Sequence, residues 1–192
     1  MGSATPTRAI LKFALSTCLF LAAAGVAAAQ NPPEASSILE QAETIAASQH
    51  KIVLLEFGAS WCGPCHRLDD FTSDPQIAPI LEKYFVFARV RIDEEHGQHP
   101  ELNTLGSREL MARFGGFQGV PFIVFLDSHG NTIVTSDRPV NGKKLGENIG
   151  YPAQPWEIDW FRTMLKKGVP QMTVAELQTI QLWLQQAQAA RK

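Results

Sequence analysis

The sequence predicts an α/β fold: a central mixed β-sheet with helices on both faces, extended by extra helices at its C-terminal end. Three observations predict it. The apolar runs "KIVLLEFG" and "YFVFARVRID" are joined through a segment of helical spacing, which favours a parallel β-α-β unit. The runs "VPFIVFLD" and "TIVTS" are separated only by the turn "SHGN", which favours an antiparallel hairpin. Beyond about residue 152 the apolar residues recur with the period of a helix.

Taken in order, Ser37 and Glu40 have capping-box spacing, and Ile38, Ala42, Ile45 and Ala46 follow as one helical stripe. "KIVLLEFGAS" is an apolar run short enough for a buried strand, and its small final residues suit a tight turn into a helix opened by Cys62. Asp74-Pro75 predicts the next helix start, with Asp as N-cap and Pro as the first helical residue, running to about Lys83. "YFVFARVRID" is the second strand and "EEHGQHPELNTLG" a loop. Ser107 caps a short helix, "RELMARF", stopped by Gly115 and Gly116. After the hairpin, "DRPVNGKKLGENIGYPAQP" reads as a long connection. Trp156, Trp160, Phe161, Met164 and Leu165 form the stripe of one helix. Thr173 and Glu176 form the capping box of a last one, carrying Val174, Leu177, Ile180 and Leu184. The two tail helices provide either core cover or a partner surface, and the aromatic stripe favours core cover.

The chain has 192 residues, and its first thirty have the layout of a secretory signal: basic Arg8 and Lys12, the apolar run "FALSTCLFLAAAGVAAA", and small residues up to Ala29. The alternatives are an uncleaved anchor or lipidation at Cys18, for which Thr17 is a poor preceding residue. The expected organisation is a signal peptide over 1–29, a lead-in over 30–37 and one domain over 38–192, with export to the periplasm. Cleavage after Ala29 leaves 192 minus 29, or 163, residues, enough for one domain with a sizeable core. It also removes two basic and no acidic residues, so the formal charge moves from −2 to −4. A weakly acidic chain argues against a nucleic-acid partner.

Of three cysteines, only Cys62 and Cys65 remain after cleavage, in an oxidising compartment and too close in sequence to staple distant parts of a fold. The stretch "SWCGPCHR" supports two readings, since C-x-x-C is a redox dithiol and C-x-x-C-H a haem attachment signal. In the haem reading His66 is one axial ligand and Met111, Met164 or Met172 the other. The preceding buried strand favours the dithiol: it places Cys62 at a helix N-terminus, where partial positive charge and free N–H groups favour a thiolate. Cys62 is then the attacking sulfur. Cys65 lies a turn further in, more buried and held near its thiol form, and resolves the mixed disulfide. Gly63 and Pro64 lie between them, and Pro64 suits a first helical turn, where its missing N–H does no harm. His96, His99 and His129 do not have convincing metal spacing.

"LLEFGASWCGPCHRL", "FARVRID" and "GVPFIVFLDSHGN" together resemble thioredoxin and its exported relatives, above all the thioredoxin-like domains of periplasmic disulfide reductases, over about residues 38–137. The resemblance implies a thioredoxin-like fold and an exported thiol-disulfide oxidoreductase with no metal or organic cofactor. It implies protein thiol or disulfide substrates, and export makes a membrane-bound electron donor the expectation. Oligomeric state is left open. Glu56, six positions before Cys62, falls where relatives carry a buried acid that takes the proton of Cys65. Thioredoxin has Asp there, and the plainer alternative is a strand-end charge facing solvent. Arg89 matches the place of a Lys partner. Pro121 matches the family's cis proline facing the dithiol, its plainer role being a strand start on a sheet edge. Val120 then offers its backbone to an extended substrate, and Trp61 covers the apolar rim or simply packs. The Gly-Pro pair resembles reducing thioredoxins. An oxidase or isomerase with the same residues and opposite poise stays open, as does a dithiol binder of a soft metal such as Cu(I).

Overall fold

β1 explains the architecture. Residues Ile52–Gly58 form the second strand in from one edge of a four-stranded sheet of order β2-β1-β3-β4. It is hydrogen-bonded on both sides and covered on both faces, so all but one of its residues from Val53 to Phe57 are apolar. β2 (Phe85–Arg91) runs parallel to it, with Glu56 opposite Arg89 in the register. β3 (Phe122–Leu126) runs antiparallel to β1, and β4 (Thr132–Thr135) antiparallel to β3 with an irregularity at Phe125/Leu126. The expected β-α-β unit and hairpin are both present. The computed structural model describes residues 1–2, 33–141 and 146–190; the signal-peptide segment and Cys18 lie outside the described residues.

Strand alternation divides the core into two layers. Leu54, Phe85, Ile123, Phe125 and Val134 face one side, where α2 (Gly63–Ser73), α3 (Ala78–Tyr84), α5 (Pro155–Gly168) and α6 (Val174–Ala189) supply Leu68, Phe71, Leu81, Phe161, Met164, Ile180 and Leu184. Val53, Leu55, Phe57, Val90, Phe122 and Val124 face the other, against Leu39, Ala42 and Ala46 of α1 (Ala35–Gln49) and Leu110 and Met111 of α4 (Ser107–Arg113). The inner faces of both tail helices are core. Each fully buried Leu, Ile or Phe contributes about 1.5–3 kcal/mol of transfer free energy.

Several helix starts differ from the sequence reading. α1 begins at Ala35 with no side-chain cap, so the Ser37/Glu40 pair is not a capping box and the lead-in ends before residue 37. A tertiary bond decides the start: Ala35 N–H donates to Leu105 O at 2.9 Å, where Glu34 bridges Leu105. Ile45 is 43 % exposed and off the buried stripe. α3 starts at Ala78, not Pro75. Asp74 instead closes α2 and uses its Oδ1 to accept the Gln76 N–H at 2.8 Å. Ser107 is the first residue of α4, and Gly106, with φ of 72°, is its N-cap. Trp156 is exposed, its place on the buried stripe of α5 taken by Ile158. The Thr173/Glu176 box is formed as expected, and Glu176 also receives Lys83 Nζ and Tyr84 Oη, both at 2.9 Å, tying α6 to α3. The predicted loop after β2 holds two 3-10 turns, Glu94–Gly97 and Pro100–Leu102. The predicted connection after β4 holds a two-stranded ladder of β5 (Asp137–Arg138) and β6 (Glu147–Asn148). No helix among the described residues is long and apolar enough to cross a membrane.

Candidate active site

The end of β1 and the start of α2 are joined by four residues, Ala59 to Cys62, and this turn sets the site. Cys62 is the N-cap of α2, with extended φ and ψ, and its sulfur accepts the Cys65 N–H at 3.1 Å. A sulfur in place of the usual N-cap oxygen is thereby aimed at the positive end of the helix, where negative charge is stabilised. Gly63 and Pro64 form the first turn. Cys62 and Cys65 are joined as a disulfide, with their Cα atoms 5.2 Å apart.

The two cysteines are almost equally buried, contrary to the expectation from sequence. Cys65 is not the more buried sulfur-bearing residue: Cys62 is 2 % exposed and Cys65 3 %. Val120 packs against the cluster they form with Ala59. The difference between them lies in their partners. Cys62 Sγ has the helix N–H on one side and the Val120 carbonyl at 3.6 Å on the other. A disulfide sulfur has no proton to donate, so the latter is a contact. Cys65 instead lines a small cavity of about 110 Å³ with Glu56, Gly58, His66, Asp69, Arg89 and Arg91.

Glu56 is buried, not a strand-end charge facing solvent. Burial, reinforced by Asp69, pushes its carboxyl up to about 7 against the pull of Arg89. Arg89 Nε lies 3.4 Å from both Glu56 Oε2 and Asp69 Oδ1, and its Nη2 donates to Thr72 Oγ1 at 3.1 Å. The Arg89–Glu56 contact lacks hydrogen-bond alignment, so Glu56 Oε2 is buried without a hydrogen-bond partner. Gly58 keeps the space between acid and sulfur open. A Cβ there would sit 3.3 Å from Glu56 Oε1 and 3.5 Å from Cys65 Sγ. Gly58 lies two residues after the acid, on the same strand face, a spacing readable in the sequence but not among the site residues expected from it.

Glu94 was also missed. Its side chain is fully buried below the turn, where Ser60 N–H donates to Oε1 at 2.8 Å and Ser60 Oγ to Oε2 at 2.5 Å. Arg91 Nη1 donates to Oε1 at 3.3 Å. Burial alone would raise this carboxyl, but the Ser60 bonds and Arg91 outweigh it and hold it below the usual range. Trp61 is 43 % exposed at the rim; its Nε1 donates to Asp93 O at 2.7 Å and its ring packs edge-to-face with that of His96, their centroids 5.3 Å apart. The turn before Cys62 is therefore fixed from the 3-10 turn that follows β2. His66 is exposed, its Nε2 2.7 Å from Ser60 O, while Met111, Met164 and Met172 are buried in the core layers. Val120 and Pro121 are brought beside the dithiol, and their peptide bond is cis.

Comparison with known proteins bears on this geometry. A family model described as thioredoxin-like matches residues 34–128, the span from α1 to the end of β3. This stretch is a thioredoxin-like domain. The thioredoxin-like domain contains the whole cysteine turn, Glu56, Arg89 and the Val120–Pro121 step. The thiol:disulfide interchange protein DsbD of Photorhabdus laumondii is 32 % identical over 96 residues, half of this chain but 15 % of that protein. That of Vibrio vulnificus is 28 % identical over the same length, again half of this chain and 14 % of its own. The chain thus spans about one seventh of the length of these curated relatives. Among solved structures, the C-terminal domain of Neisseria meningitidis DsbD in the oxidised form is 19 % identical, over 70 % of this chain and 98 % of that one, with a TM-score of 0.41. This chain has a thioredoxin-like thiol-disulfide oxidoreductase fold carrying the Cys62–Cys65 disulfide.

Proposed function

We propose that this protein is an exported, periplasmic thiol-disulfide oxidoreductase that reduces or interchanges disulfides of protein substrates. The observation that carries the reading is the asymmetry of the pair: Cys62 Sγ caps α2, while Cys65 looks onto a buried acid across the Gly58 gap. In the reduced protein, the Cys62 thiolate attacks one sulfur of a substrate disulfide. A Cys62–substrate disulfide forms and the other substrate sulfur leaves as a thiolate, which takes a proton from solvent. Cys65 then loses its proton to ionised Glu56 and attacks Cys62 Sγ. The Cys62–Cys65 disulfide forms and the second substrate thiolate leaves. Two electrons pass to the substrate, and the pair must be reduced again by an electron donor, proposed here to be membrane-bound. Glu56, titrating near neutral pH, suits a base that must both take and return a proton.

Direction is set by potential. The Gly63-Pro64 pair between the cysteines supports a reducing poise. Equilibration of the Cys62–Cys65 pair against glutathione, with an insulin-reduction assay alongside, tests it. A potential well below that of the glutathione pool, with insulin reduced, is expected. A potential above that pool with no insulin reduction would favour an oxidant.

A further inference from the structure

The stretch between β4 and α5 reads in the sequence as a polar connection, but it reaches back to the dithiol. Asn148, the last residue of β6, donates from Nδ2 to the carbonyl oxygens of Gly119 at 3.0 Å and Pro121 at 3.1 Å. Its Oδ1 accepts from Ser136 Oγ at 2.8 Å and from the Gly150 N–H at 3.0 Å. The partners fix the orientation of this amide, because backbone carbonyls only accept and a backbone N–H only donates. Ser136 is itself fully buried and anchored to β3: its Oγ accepts the Ile123 N–H at 2.9 Å, and its own N–H donates to Ile123 O at 2.8 Å. A rigid strand thus holds Ser136, Ser136 holds Asn148, and Asn148 holds the loop.

That loop, "GGFQGV", needs holding. Gly119 has φ of 106° and nothing near the position of a Cβ, so its own backbone restrains it little. The Gly119 carbonyl shares a peptide plane with the Val120 N–H, for which no backbone acceptor occurs among the described residues. The Asn148 bonds therefore bracket Val120, whose carbonyl is 3.6 Å from Cys62 Sγ. We propose that Asn148 is a positioning residue for disulfide exchange: by gripping the carbonyls on either side of Val120, it presents the Val120 backbone to an extended disulfide-bearing polypeptide beside Cys62. This rests on the exchange reaction proposed above.

The test uses the full chain, reduced and freed of reductant, and two oxidants with the same leaving group. One is a linear peptide whose cysteine is a mixed disulfide with thionitrobenzoate. The other is the symmetrical dithiobis-nitrobenzoate, which has no peptide backbone to pair. In both, Cys62 sulfur joins the oxidant and a thionitrobenzoate anion is released, read by its colour. Small misplacements at a reacting centre cost about tenfold to hundredfold in rate. In Asn148→Ala the ratio of peptide rate to reagent rate is expected to fall by at least about tenfold from the wild-type ratio. Asn148→Asp keeps the Oδ acceptor for Ser136 and Gly150 but loses the donor, and its ratio is expected to be as low at neutral pH. A ratio unchanged in Asn148→Ala, even with both rates depressed, overturns the proposal, as does recovery of the ratio in Asn148→Asp. A wild-type protein that reacts with neither oxidant would instead sink the exchange reading itself.

Discussion

Glu56 and Cys65 face one another across a gap that Gly58 leaves unfilled, carboxylate and sulfur each within 3.5 Å of the point where a Cβ would stand. The acid is buried and one of its oxygens has no hydrogen-bond partner. The unpartnered oxygen is Oε2, on the Arg89 side, and Oε1 is the oxygen that stands at the gap before Cys65.

We predict that Glu56→Gln separates the two chemical steps. Formation of the mixed disulfide at Cys62 should be little changed, while its resolution by Cys65 at neutral pH slows by about a hundredfold, within the usual range for loss of a positioned base. Stopped-flow exchange with a chromogenic mixed disulfide resolves the two phases. Equal rates in both phases would count against Glu56 as the base.

The same residue gives a stability signature. Its folded value of about 7 exceeds the ordinary 4.5, so between these pH values the folded state holds more protons than the unfolded one. Stability should therefore fall as pH rises from 4.5 to 7, by an amount on the order of 3 kcal/mol, and stay level above that as far as this group is concerned. Glu56→Gln should lack the fall. Urea unfolding of the disulfide form at pH 4.5 and pH 8 measures it, and parallel pH profiles for the two proteins would refute it.

Gly58→Ala should leave the fold intact, because the new methyl meets Glu56 Oε1 and Cys65 Sγ at close but tolerable distances. It should slow resolution selectively by wedging acid and sulfur apart. Unchanged resolution with a normally folded protein would mean that the gap is not used.

Glu94 receives two bonds from Ser60, and charged hydrogen bonds of this kind contribute about 1.5–3 kcal/mol each. Glu94→Ala should destabilise the oxidised protein by roughly that much or more and loosen the turn that aims Cys62. Glu94→Gln, which keeps one acceptor, should lose less. Denaturant midpoints for the three proteins check the order, and an Ala variant as stable as wild type would contradict it.

The sheet and the dithiol were legible because local signals and tertiary structure agree there. "IVLLEF" is apolar because β1 is covered on both faces, and its lone acid stands out for the same reason. Helix starts were less legible: Asp74 and Ser107 carry good capping chemistry, but neither caps the helix that follows it. At Ala35 a bond to Leu105, far along the chain, decides instead. Glu94 and Asn148 could not be picked out. Glu94 falls in a stretch that reads as a loop and Asn148 in one that reads as a long connection, and what buries or engages these side chains is Ser60 in one case and the Gly119–Pro121 backbone in the other. Cys62 is as buried as Cys65 because Val120, distant in sequence, packs against the cluster that both cysteines form with Ala59.

The central claim is that the two sulfurs are unequal because one caps α2. The most direct measurement is the alkylation rate of each cysteine in the reduced protein between about pH 5 and 8, resolved by mass spectrometry of the labelled peptides. Cys62 is predicted to be labelled at least about tenfold faster than Cys65 throughout. Labelling of both at the same slow rate, rising together only at alkaline pH, would contradict the account.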